Sequence, residues 1–242
     1  MPGRPPVEEI VLDPDFVLTP ALVLSMWAGG MAAGTAAVAW WRIVGPGFFW
    51  TMSGATLVVG AWTFRAGPAA VIGIVALIVA GLSARRPVVA AAAYAAAAAG
   101  FVAQAAAEGG WVLAITGAVA LGGVTDEMLL GHWYLVNPRM PRWALKSLAA
   151  TGALGLAVDA ALLFVAGVTL GAGVVAWAFL ALSGMSLILM VAVWFALNEP
   201  SYTGVMAATG LSYLAVLTSL GAVVAGRSLV GDAGNLLASL PL

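Results

Sequence analysis

From Val174 to Leu197 the sequence runs without one charged residue, and several other stretches come close to the same pattern. A helix of about 20 apolar residues crosses the hydrocarbon core of a bilayer. A backbone in lipid must satisfy its own hydrogen bonds, which leaves helices or a closed barrel. Barrel strands alternate apolar and polar residues with period two, whereas these runs are continuously apolar. The expectation is therefore an all-α polytopic transmembrane bundle. Composition agrees: 63% of the 242 residues are hydrophobic and 8% charged, where a soluble domain carries about 25%.

The runs divide into about eight crossings. They are Leu22–Trp41, Phe48–Phe64, Pro68–Ser83, Pro87–Ala107, Trp111–Val136, Trp143–Val165, Val174–Leu197 and Thr203–Ala225. The second and third are short, and a seven-crossing count follows if one of them is re-entrant. An even number puts both termini on one side. Lysines and arginines set orientation. Arg42, Arg85, Arg86, Arg139, Arg142 and Lys146 fall in the loops of one side, and Arg4, Arg65 and Arg227 on the other. That balance predicts a cell-membrane protein, inner or plasma, with both termini outside the cytoplasm. The organisation reads as an extramembrane lead-in over 1–18, a single bundle over 19–228 and a short tail over 229–242. The lead-in is acidic and Pro-rich, without the basic start of a signal peptide.

The chain has no cysteine and a net charge of -1. Disulfides, thiol redox chemistry and Cys-ligated metals are excluded, and nothing points to nucleic acid. Glycine and alanine are abundant, and Gly30 with Gly34 forms a GxxxG pattern. Small residues let membrane helices approach closely. The partners implied are lipid and either other membrane subunits or further copies of the chain.

An ionisable group inside a bilayer costs at least ~2.5 kcal/mol on insertion scales, so such residues need a reason. They concentrate in "VTDEMLLGHWYLVNPRMPRWALK", from Val124 to Lys146. At ~1.5 Å per residue, Asp126 lies ~15 Å inside the end of its segment at Val136, near mid-bilayer. His132 lies near the interface beside Trp133 and Tyr134, where an aromatic belt also belongs. At 100° per residue Asp126, Glu127 and His132 do not share one stripe. A site holding all three needs neighbouring helices to wrap this segment, or a break at Gly122 and Gly123. His132, Tyr134, Asn137, Arg139, Arg142, Lys146, Asn198, Glu199 and Tyr202 all open on one surface as a polar rim. Asp159 lies toward the opposite side.

Three functions fit this pattern. The first is a subunit of a respiratory-type redox complex with a quinone site. Asp126, Glu127 and His132 would exchange protons, and His132, Trp133, Tyr134, Tyr202 and Glu199 would line the ligand. A b-type haem is a variant, held by His132 alone, by His132 with a methionine such as Met185, Met190 or Met206 opposite, or shared between protomers. The second is a small proton-coupled transporter or channel, with Asp159 further along the proton path. The third is an assembly subunit without chemistry, in which the acids serve as structural hydrogen-bonding groups. No hydrolase motif is present. Lys146, the only lysine, sits at a helix start, unlike a mid-helix retinal-binding lysine.

Overall fold

In a computed structural model of the protein, residues 18–167 and 173–238 are described, with side chains as far as Gly231. These residues are helical and contain no strand. The helices are α1 (Pro20–Trp41), α2 (Pro46–Gly60), α3 (Pro68–Leu82), α4 (Pro87–Gly109), α5 (Trp111–Val136), α6 (Arg142–Val165), α7 (Gly173–Asn198) and α8 (Tyr202–Ala238). Six of them, α1 and α4 to α8, are long and apolar enough to cross a membrane. With α2 and α3 at 15 residues each, those two reach only ~22 Å at 1.5 Å per residue. A 3-10 turn at Ala61–Thr63 extends α2. The lead-in before Leu18 lies outside the described residues. The last helix continues past the expected end at Ala225 to Ala238. The stretch from 229, read from sequence as a tail, is thus helical as far as it is described, with Leu229 and Val230 buried.

The ends of the helices follow local chemistry. Proline opens α1 to α4, where its fixed φ suits the first turn and its missing N–H costs nothing. Thr19 caps α1 by accepting from Leu22 N at 3.0 Å. A single residue, Gly110, separates α4 from α5. Its φ of 80° is a conformation that glycine adopts freely.

The bundle is organised around α5, which packs against α1, α4, α6 and α8. Glycines set these approaches. A Cβ on Gly30 or Gly122 would collide with the other's helix across the α1–α5 contact. One on Gly152 would come within 2.7 Å of Val124 N across the α5–α6 contact, and one on Gly123 within 2.5 Å of Gly152 N. Thus Gly122 and Gly123 do not break the helix. They point to opposite neighbours and let α1 and α6 both close on α5, which is continuous through the carboxylates. Outside this centre the surface is apolar: Ile72, Val174, Trp177, Ile188, Phe195 and Leu217 are all exposed. An apolar exterior around a core that holds charged groups is the arrangement a bilayer requires.

Candidate functional site

Buried acids occur at two heights in the bundle. The first layer is Asp126 and Glu127 on α5, 2% and 0% exposed. Successive helix residues point about 100° apart, and here that difference sends them to different neighbours. The Asp126 carboxylate lies against Gly34 of α1, in the space a side chain there would fill. Its Oδ1 takes only a long contact of 3.5 Å from the Thr35 hydroxyl, and its Oδ2 has no hydrogen-bond partner. Glu127 faces α8 instead. The Ser212 hydroxyl donates to its Oε2, while Oε1 is without a partner. Beside it, Gly131 leaves room for Thr209 of α8. Between these two contacts, Thr125 accepts from Trp27 Nε1 at 2.8 Å and donates to Leu121 O at 2.7 Å.

The second layer lies ten residues back along α5, ~15 Å lower. Asp159 of α6 is held on both oxygens by Arg227 of α8, with Nη2 to Oδ1 at 2.7 Å and Nη1 to Oδ2 at 3.2 Å. The Thr116 hydroxyl of α5 also donates to Oδ1. Arg227 Nη2 donates further to Leu113 O at 2.8 Å, tying in the start of α5. Arg227 is fully buried. A forked guanidinium on a carboxylate is the strong form of this interaction. It joins α5, α6 and α8 at one point.

Arg227 corrects the sequence reading, which counted it as a loop charge. Two signals pointed to it. The apolar pattern does not stop at Ala225, and Arg227 is the only Lys or Arg after Lys146. An acid deep in α6 therefore has a single cation to draw on from the helices that follow it.

The polar rim assembles at the other end, mostly through backbone. Arg142 donates to the carbonyls of Glu199, Pro200 and Ser201, so its side chain clasps the α7–α8 turn. Its Nε also lies 3.5 Å from Tyr134 Oη. Lys146 donates to Asn198 Oδ1 at 2.6 Å and sits over the Trp194 ring. Tyr202 donates to Leu135 O at 3.1 Å. Glu199 contributes its carbonyl to this clasp.

His132 does not join these groups into a site. It is exposed, whereas Asp126 and Glu127 are enclosed. Trp133 is half-buried, edge-on to Phe48 of α2 with ring centroids 5.8 Å apart, and Tyr134 is buried. Helix wrapping occurs as the wheel required, yet it separates the three ionisable groups instead of gathering them. Among the described residues no group of three or more His, Cys, Asp or Glu side chains could hold a metal ion. Of the methionines considered opposite His132, Met185 and Met206 are half-exposed on the outer surface and Met190 is buried.

Two clefts among the described residues bear on the site. One of about 480 Å³ lies between α2 and α3. The other, about 270 Å³, runs along Gly30, Gly34 and Ala37 of α1 over Val119 and Gly123 of α5 to Thr151 of α6. Neither is lined by Asp126, Glu127 or His132. Comparison of the chain with protein-family models, with curated proteins and with solved structures finds no match.

Proposed function

We propose that the chain is a small proton-coupled membrane transporter in which Asp126 and Glu127 bind the protons. In this reading α2 and α3 form a short hairpin that completes eight crossings. Both termini lie outside the cytoplasm, on the side opposite Arg42, Arg85, Arg86, Arg139, Arg142 and Lys146. The observation that carries the proposal is that each mid-bilayer carboxyl keeps one buried oxygen with no partner. A proton needs a single lone pair, whereas a Mg²⁺ or Ca²⁺ ion needs about six or more oxygens. Carboxylates at such depth serve as proton carriers in pumps and transporters. Their two contacts lie on different flanks of α5, so loading one or the other changes its grip on α1 or on α8. That is the differential contact a two-state exchange needs.

The quinone reading draws less support. It needs an enclosed slot shared by His132 and a carboxyl, and His132 is exposed while the carboxyls open on neither cleft. The test is proton flux into liposomes containing the purified protein, with a pH dye inside and an imposed membrane potential. Wild type is expected to acidify the lumen, and Asp126→Asn and Glu127→Gln to lose most of that flux. Full flux in the double variant would sink the proposal.

A further inference from the structure

The α2–α3 cleft has a polar end and an apolar end. At the polar end Trp50 Nε1 of α2 donates to Gly81 O of α3 at 3.2 Å. Beside it, Ser53 Oγ lies 2.7 Å from Tyr94 Oη, and Tyr94 Oη donates its proton to Phe49 O at 2.7 Å. The proton in the Ser53–Tyr94 contact therefore comes from Ser53, whose oxygen is left as an acceptor on the cleft wall. Arg85, just past the end of α3, lines this same end and is exposed. Leu57 and Leu77 line the deeper part. A volume of about 480 Å³ falls in the ~300–1,000 Å³ range of ligand pockets.

Charge decides the occupant. From Arg42 to Ala107 the chain carries four arginines and no Asp or Glu. Arg85 makes no ion pair among the described residues, where the one salt bridge is Arg227 with Asp159. With α2 and α3 lying in the bilayer, as the proposed eight-crossing reading has it, the cleft offers a cation at the level of the headgroups and an apolar channel below it. A basic residue near a membrane surface attracts anionic lipid. We infer that the cleft between α2 and α3 binds one anionic phospholipid, with its phosphate on Arg85 and an acyl chain against Leu57 and Leu77.

The test is native mass spectrometry of the full chain in detergent, with phosphatidylglycerol or phosphatidylcholine added. Wild type is expected to retain one phosphatidylglycerol in preference to phosphatidylcholine. Arg85→Ala should weaken that retention about fivefold, the worth of one surface cation. Gly54→Phe is the second variant. Gly54 lines the cleft and a Cβ there meets nothing within 4 Å, so the substitution adds bulk at the cleft wall, leaves Arg85 in place, and should abolish retention. An unchanged melting temperature shows that each variant is folded. Equal retention of the two lipids by wild type overturns the inference, as does wild-type retention by either variant. Loss with Arg85→Ala but not with Gly54→Phe also overturns it, because the lipid would then sit on the surface and not in the cleft.

Discussion

Asp159 and the pair Asp126–Glu127 are all buried on the same bundle, yet their surroundings differ in kind. Asp159 has a guanidinium, a hydroxyl and a well-defined place in a three-helix junction. Asp126 and Glu127 have one hydroxyl each and no cation, and each keeps an oxygen without a partner. Breaking a buried ion pair leaves an uncompensated charge. Neutralising an acid that has no cation removes a burden instead. One layer therefore fastens helices, and the other, in the proposed function, is where protons bind.

The largest effect expected is from Arg227→Ala. It strips Asp159 of its cation and should cost about 3–5 kcal/mol, seen as a steep fall in melting temperature in detergent. Asp159→Leu with Arg227→Leu should recover most of that loss. If the double variant melts as low as the single one, the fastening is not electrostatic and the comparison fails. Next is Ser212→Ala, which leaves both oxygens of Glu127 without a donor and should cost about 1–3 kcal/mol. Gly34→Ala pushes a methyl into the Asp126 carboxylate and should cost a similar ~1–3 kcal/mol by overpacking.

Smaller still are Asp126→Asn and Glu127→Gln, expected to stay within about 1 kcal/mol of wild type because no cation loses its partner. A drop as deep as that of Arg227→Ala in either variant would erase the distinction between the layers. Least of all is His132→Ala. At an exposed position it should leave the melting temperature within about 2 °C and the liposome proton flux unchanged. A lost flux there would return the imidazole to the mechanism.

Much of the helical layout is legible in the sequence because a bilayer imposes length. Trp111–Val136 is bounded identically by apolar pattern and by structure, and Pro68 and Pro87 start α3 and α4 in both, whereas α1 and α2 begin two residues earlier than the apolar pattern, at Pro20 and Pro46. Turn counting also puts Asp126 on a different face from His132, and in the structure Asp126 is buried while His132 is exposed. What the pattern lacks is the identity of the neighbour on each face. An angle on a wheel does not say that Asp126 meets α1 and Glu127 meets α8, since that depends on how four helices close around α5. The same limit hides Gly122 and Gly123. A glycine pair marks a break in isolation and a double contact when two helices press on it. Arg227 was misplaced because an arginine near a helix end usually marks a loop, while its partner stood 68 positions earlier.

The order of the chain gives the junction at Asp159 a meaning for biosynthesis. Asp159 and Glu127 enter the membrane with α6 and α5, while Arg227 and Ser212 arrive only with α8. Until that segment is made, Asp159 lacks its cation and Glu127 its donor. Helix α8 is therefore what completes the set, and a chain arrested before it would leave Asp159 without its cation and Glu127 without its donor.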